Sequence, residues 1–402
     1  MKVRRDLLPV MAILAAGMLY YYVSLQSHIV FGDEGYYSSV GRWMADNAVM
    51  PVYEPYYHTD IYHPKFVKHP LHFFFNVGAW LLLGELGIKL LIPVFSVLTA
   101  LLLYAFLKRE GAPWLGAASA LIFLMLPGVV TYGVLDYVET LNFMLITLAL
   151  VFGYYTVNGR GLAHTLLAGV FLGLALLTDI TALFAALVLL CYFVFSRRFG
   201  SWRNVLLVIV LAGIMVSPFL IRNMMLFGSP CYAFLSGGEC APKIDMEIAH
   251  SPYLGGTFVS GEAAVGTGAG LLKMGVLNYM RFAFGWSASV ILLFGIAFAA
   301  AKRDKFSLLM VAWFVAFLLL NVHQALYGGR SEDLQRYSLF GFPAVALLCG
   351  LFVTESCRWS ARKHKILAGI LVLVFAVAFF NYGYEKITTM ASVKAFAPGF
   401  FV

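Results

Sequence analysis

Apolar runs of about 17–25 residues, the length that spans a bilayer as a helix, recur along the chain between residues 7 and 382. They fall near 7–25, 90–107, 112–130, 140–157, 162–178, 180–196, 204–220, 276–300, 306–322, 337–354 and 366–382. A further run, 71–83, is shorter than a span. The stretch 162–195 is too long for one helix, so Thr178-Asp179 predicts a tight turn between two. A turn at the surface spares Asp179 the cost of about 2.5–3.5 kcal/mol that a carboxylate meets at the bilayer centre. Residues 34–46 read as an amphipathic helix, with Asp33 as its N-cap and Glu34 in the first turn. The pattern predicts an all-α polytopic membrane protein, a single integral-membrane domain over 1–402. Its first extracytoplasmic loop, 26–89, carries interfacial helices, and a large loop covers 221–275.

Composition agrees: 61% hydrophobic residues, 12% charged residues and a mean hydropathy of +0.85 exclude a soluble globule. The run 7–25 lacks a small-residue cleavage site and reads as a span, not a signal peptide. Charge then decides how the spans are threaded. Lys2, Arg4 and Arg5 place the N-terminus in the cytoplasm. If 71–83 does not cross, one side holds Lys108-Arg109, Arg160, Arg197-Arg198, Arg203, Lys302-Arg303, Lys305, Arg358, Arg362-Lys363 and Lys365. With the N-terminal three, these are more than half of the 28 Lys and Arg, as the positive-inside rule asks of cytoplasmic loops. The segment 71–83 is therefore expected to be interfacial or re-entrant, giving about 11 spans. The outer face receives 26–89, 131–139, 178–179, 221–275, 323–336 and the C-terminal tail. The net charge of +8 is then loop Lys and Arg facing the cytoplasm and implies no nucleic acid.

The polar outliers gather on that outer face. Asp33 and Glu34 follow the first span, and their side chains point about 100° apart on a helix. Only Asp33 is then expected to face a reacting centre, as a general base for an acceptor hydroxyl. Glu34 supports or caps. Asp136 and Glu139, at i and i+3, would share a helix face and could position an acceptor. Together with Asp33 they could instead hold a divalent cation, Mg or Mn. His69-x-x-His72 is a second pair with metal-ligand spacing. Lys65 and Lys68 could hold a phosphate as point charges, and Arg222 and Arg336 as forked donors. Each has a plainer reading: helix capping, polar residues at a span end, amphipathic packing, snorkelling or headgroup contact. The Gly-rich piece 255–270 lacks Gly-Lys-Ser/Thr and reads as a flexible loop, not a phosphate cradle. Cys191 and Cys349 lie in apolar runs; Cys231 and Cys240 share one outer loop and could pair there.

Five short motifs occur in order: Phe31-Gly32-Asp33-Glu34-Gly35-Tyr36-Tyr37, Lys68-His69-Pro70-Leu71, Leu135-Asp136-Tyr137-Val138-Glu139, Ser217-Pro218 through Arg222 to Phe227-Gly228-Ser229-Pro230, and Arg336-Tyr337-Ser338-Leu339-Phe340. Their order and content resemble the GT-C superfamily of integral-membrane glycosyltransferases. More narrowly they resemble the dolichyl-phosphate-mannose protein mannosyltransferases and the lipid A aminoarabinose transferases. The resemblance implies an outward-facing cavity for a polyprenyl-phosphate sugar, with Asp33 as base or acceptor-positioning group. It implies that Lys68 contacts the lipid phosphate, helped by Arg222, Arg336 and Tyr337, with Lys65 and His69 as secondary candidates. His69 departs from the family, standing where the first Pro of a Pro-Pro pair is usual. Asp179 also departs, standing where relatives often carry Lys. No large soluble domain is expected up to residue 402, so the acceptor does not carry over: lipid, glycan and protein remain open.

The expected function is transfer of a sugar from a polyprenyl-phosphate donor to an acceptor hydroxyl outside the cytoplasm of a prokaryotic cell membrane. Nucleotide sugars are cytoplasmic, whereas a lipid-linked sugar reaches an outer site. A transporter or lipid-linked-sugar flippase is the alternative, and a scaffold subunit a third; the chain shows no internal repeat of the kind transporters carry. The threading has a direct test. A cysteine placed at residue 86 should react with a membrane-impermeant reagent added outside; labelling only from the cytoplasmic side would overturn it.

Overall fold

Proline and glycine set where the helices begin and end. The protein is seen in a computed structural model that describes residues 2–26, 33–51, 70–197, 201–228, 230, 277–302, 304–326, 339–363 and 365–396. Helix α1 covers Lys2–Leu25, α2 Asp33–Asn47 and α3 Pro70–Leu83. Gly84, with φ of 61°, turns the chain directly into α4, Glu85–Arg109, through a conformation that strains any residue with a side chain. Pro113 opens α5 (Pro113–Met125), where its missing N–H costs nothing. Pro127 then opens α6 (Pro127–Tyr132), and Leu126 before it is extended, as residues preceding proline prefer. The expected single span 112–130 is therefore broken in two. The chain continues as α7 (Val138–Val157), α8 (Leu162–Thr178), a 3₁₀ turn (Ile180–Ala182) and α9 (Leu183–Phe195). The predicted turn at Thr178-Asp179 is present. Helix α10 (Trp202–Phe227) runs past its expected end at 220 and closes on left-handed Gly228, whose N–H donates to the Met224 carbonyl. Then follow α11 (Leu277–Lys302), α12 (Lys305–Leu326), a 3₁₀ turn (Leu339–Gly341), α13 (Phe342–Lys363) and α14 (Lys365–Phe396).

Among the described residues, six helices are long and apolar enough to cross a membrane, and six shorter apolar helices accompany them. The expected spans each fall on one of these helices, and the remaining short one is α3, the segment set aside as interfacial. Helix α7 lies at the centre, buried along most of its length, whereas α10 and α14 expose rows of Leu, Ile and Val. Those rows suit hydrocarbon, and the chain is an integral membrane protein.

Several buried hydroxyls and ring N–H groups find partners inside the bundle, as a spanning chain favours. Thr99, Thr147, Thr178 and Thr354 return their hydroxyls to carbonyls four residues back in their own helices. The break at Pro127 orphans carbonyls at the end of α5, and the Tyr20 hydroxyl of α1 donates to one of them, Leu124 O. Trp313 Nε1–H of α12 donates to Phe340 O at 2.9 Å. At one end of the bundle Arg160 pairs with Glu110 at 2.8 Å, and the Arg109 and Arg160 guanidiniums both lie over the Tyr155 ring. At the start of α12, burial alone would raise the Asp304 carboxyl. Hydrogen bonds from Ser307 and the Lys302 ammonium outweigh it and hold that carboxyl below its ordinary value.

Small residues let helices approach backbone to backbone. A Cβ on Gly295 of α11 would stand 2.2 Å from the Leu348 carbonyl oxygen of α13, and a backbone cannot give way as a side chain can. Gly295→Val should therefore cost about 1–3 kcal/mol, seen as a lower thermal unfolding midpoint in detergent. An unchanged midpoint would contradict so close an approach.

Candidate active site

Helices α2 and α3 pack side by side. Tyr37 of α2 meets His72 and Phe73 of α3, Gly41 meets Asn76, and the Arg42 guanidinium lies 5.0 Å over the Trp80 ring. Rising residue numbers on one helix meet rising numbers on the other, so α2 and α3 run parallel and begin at the same end. Gly41 allows the approach: a Cβ there would stand 2.5 Å from Asn76 Cβ. Beneath them Tyr37, Val40, Met44 and Phe73 pack with Val138 as an apolar cluster apart from the main core. Parallel packing brings the Asp33 end of α2 beside the Pro70 end of α3. Lys68 lies two residues before that end.

Asp136 is fastened between them, and only 2% of it is exposed. Its Oδ2 accepts from Ser38 Oγ of α2 and from Asn76 Nδ2 of α3, both at 2.7 Å. Its Oδ1 lies 2.9 Å from His72 Nε2 of α3. Its backbone N–H donates to Glu34 Oε1 at 3.3 Å. A carboxylate buried this deeply is tolerated because each oxygen has a donor. The two acidic motifs of the sequence are thereby joined. Glu34, expected to cap or support, links the start of α2 to the segment ahead of α7.

The helical premise for Asp136 and Glu139 does not hold. Helix α7 starts at Val138, Tyr137 before it is extended, and Asp136 lies outside the helix. The i, i+3 spacing therefore gives the pair no shared helix face. Glu139 sits buried in the first turn of α7, where the helix dipole favours a carboxylate. One turn further on, Asn142 Nδ2 donates to Thr181 Oγ1 at 2.9 Å, and the Asp179 carboxylate accepts from Thr181 N at 2.7 Å. The Asp179 turn thus shares the Asp136 end of the bundle, as the alternation of spans requires. Arg222, near the end of α10, donates to the Pro51 carbonyl at 3.2 Å, just beyond α2. Asp33 is the first residue of α2, and its side chain lies outside the described residues. Lys65, Lys68, His69, Arg336, Tyr337 and the pair Cys231 and Cys240 lie outside them as well.

Of the three carboxylates expected to hold a cation, Asp136 accepts hydrogen bonds from Ser38, Asn76 and His72, Glu139 is buried in α7, and the Asp33 side chain lies outside the described residues. No group of three His, Cys, Asp or Glu side chains suited to a metal occurs among the described residues. His72, considered for a metal with His69, faces Asp136. Sequence reasoning missed Ser38 and Asn76. The signal available was His72 and Asn76 at i, i+4, two polar side chains on one face of an otherwise apolar helix.

Residues 63–221 match the family model of dolichyl-phosphate-mannose-protein mannosyltransferases. No curated protein matches the chain. Among solved structures the chain is similar to ArnT from Cupriavidus metallidurans bound to undecaprenyl phosphate. The TM-score is 0.64 at 17% identity, over 96% of this chain and 74% of that one. It is similar also to the archaeal oligosaccharyltransferase AglB from Archaeoglobus fulgidus, in complex with an inhibitory peptide and a dolichol-phosphate. There the TM-score is 0.64 at 14% identity, over 96% of this chain and 56% of that one, so the chain spans little more than half of AglB. The fold of this chain is thus shared with ArnT and AglB, and the match to the mannosyltransferase family model lies within it, over residues 63–221.

Proposed function

We propose that the protein transfers a sugar from a polyprenyl-phosphate carrier to an acceptor hydroxyl at the end of the bundle where α2 and α3 begin. The observation that carries this reading is the parallel packing of those helices on Asp136. It sets the Asp33 end of α2 beside the helix that Lys68 precedes. Two helix N-termini pointing the same way favour an anion there, and a lipid phosphate is one. The ligands held by the structurally similar ArnT and AglB, undecaprenyl phosphate and a dolichol-phosphate, are carriers of this class and support the choice of donor.

The reaction is a single displacement. The acceptor oxygen attacks the anomeric carbon, its bond to the phosphate oxygen breaks, and the phosphate leaves on the lipid. Asp33 takes the acceptor proton. Lys68, with Arg222, Arg336 and Tyr337, stabilises the charge that grows on the leaving phosphate. Asp136 and Glu34 hold the two motifs in place.

Asp33→Asn should lower transfer by about 10²–10⁴-fold while the protein still inserts and folds. The assay is mass spectrometry of the lipids and glycans of membranes carrying either form, which also identifies sugar and acceptor. Full transfer by the variant would remove Asp33 from the mechanism.

A further inference from the structure

The network around Asp136 contains two side chains for which the reaction above has no use. His72 and Asn76 stand one turn apart on α3, both buried, in a helix otherwise made largely of Leu, Phe, Trp and Val. Burying them is costly unless their polar atoms are engaged. Asn76 Nδ2 donates to Asp136 Oδ2 at 2.7 Å and lies 3.3 Å from the Tyr37 carbonyl, so one amide group touches both α2 and residue 136. His72 Nε2 meets Asp136 Oδ1 at 2.9 Å, and the edge of its ring packs on Tyr37 of α2 at 5.1 Å between centroids. Ser38 and Glu34 complete the joint from α2. Three pieces of chain distant in sequence therefore meet at one carboxylate. On one side of that joint stands Asp33, next to Glu34. On the other begins α3, and Lys68 precedes His72 by four residues in the sequence.

We propose that His72 and Asn76 are positioning residues: acting through Asp136, they fix the start of α3 against the start of α2 and so set the spacing of Lys68 from Asp33. The inference rests on the roles given to Asp33 and Lys68 under the proposed function. Neither His72 nor Asn76 touches donor or acceptor.

The test uses the full chain in lipid nanodiscs, with undecaprenyl phosphate as the probe and the thermal midpoint as the measure of folding. His72→Leu and Asn76→Leu should each weaken binding of the probe by about tenfold. His72→Gln, whose amide nitrogen can donate to Asp136 as Nε2 does, should recover most of the loss. A purely structural role would lower the midpoint without that pattern. Combined with Lys68→Ala, His72→Leu should add less than about twofold to the effect of Lys68→Ala alone, because residues acting through one another are not additive. Full additivity would overturn the proposal.

A second arm needs no lipid carrier. In a background lacking the five native cysteines, spin labels replace Trp114 at the start of α5, paired in turn with labels at Asp46 of α2 and Phe74 of α3. Those distances should be sharp in the parent and broad in His72→Leu and Asn76→Leu. Unchanged distances would overturn the proposal whatever the binding data show. Broadened distances in a protein that does not bind undecaprenyl phosphate would support the joint and count against the donor assignment alone.

Discussion

One buried carboxylate organises the end of the bundle where α2 and α3 begin. Asp136 sits where a charge has almost no water to solvate it, and it is tolerated because Ser38, Asn76 and His72 supply donors to both oxygens. Remove the donors and the charge is stranded; remove the charge and three buried polar side chains lose their partner. Neither half is stable without the other, which makes the junction of α2, α3 and α7 a single unit. The apolar cluster of Tyr37, Val40, Met44, Phe73 and Val138 gives the same unit its packing. Polar network and apolar cluster together hold two helices that are too short to span a bilayer.

The rest of the bundle obeys a related constraint. In hydrocarbon every backbone group needs an internal partner, so irregular backbone is confined to places where a side chain can reach it. The break before Pro127 is such a place, answered by Tyr20 from α1. The Asp179 turn is another, where the carboxylate accepts from Thr181 N and Asn142 reaches the Thr181 hydroxyl. Trp313 reaches the Phe340 carbonyl, at the 3₁₀ turn before α13, in the same manner. Each irregularity is paired with a polar side chain from a different helix. These pairs tie the helices to one another at defined heights.

Much of the fold was legible in the sequence because span length and loop charge are local quantities. The apolar runs located the helices, the overlong run 162–195 located the Asp179 turn, and the short run 71–83 separated α3 from its neighbours. Two local features were misread. The apolar run 112–130 hides the break at Pro127 because apolar length alone does not mark it, and Asp136 lies just ahead of a helix that begins two residues later. The candidate site was half legible. Asp136 and Glu34 stood out as rare charges, but the donors that hold Asp136 come from Ser38, His72 and Asn76. His72 and Asn76 mark one face of α3, but the Ser38 hydroxyl leaves no such trace, and the pairing of all three with a distant carboxylate is a tertiary fact. The parallel direction of α2 and α3 is likewise set by contacts such as Gly41 on Asn76, which no run of hydrophobicity encodes.

The same hydrogen bonds dictate an order of assembly. They connect Asp136 to residues 60, 64, 98 and 102 positions earlier in the chain. Synthesis delivers the chain from its N-terminus, so α2 and α3 are made long before the carboxylate that joins them. Until residues 136–138 arrive, His72 and Asn76 have no partner there and are better served by water and headgroups than by hydrocarbon. The joint between the two helices therefore forms after α4 to α6 have been made. This end of the bundle closes only when α7 is in place, late in a process that begins with the residues it secures.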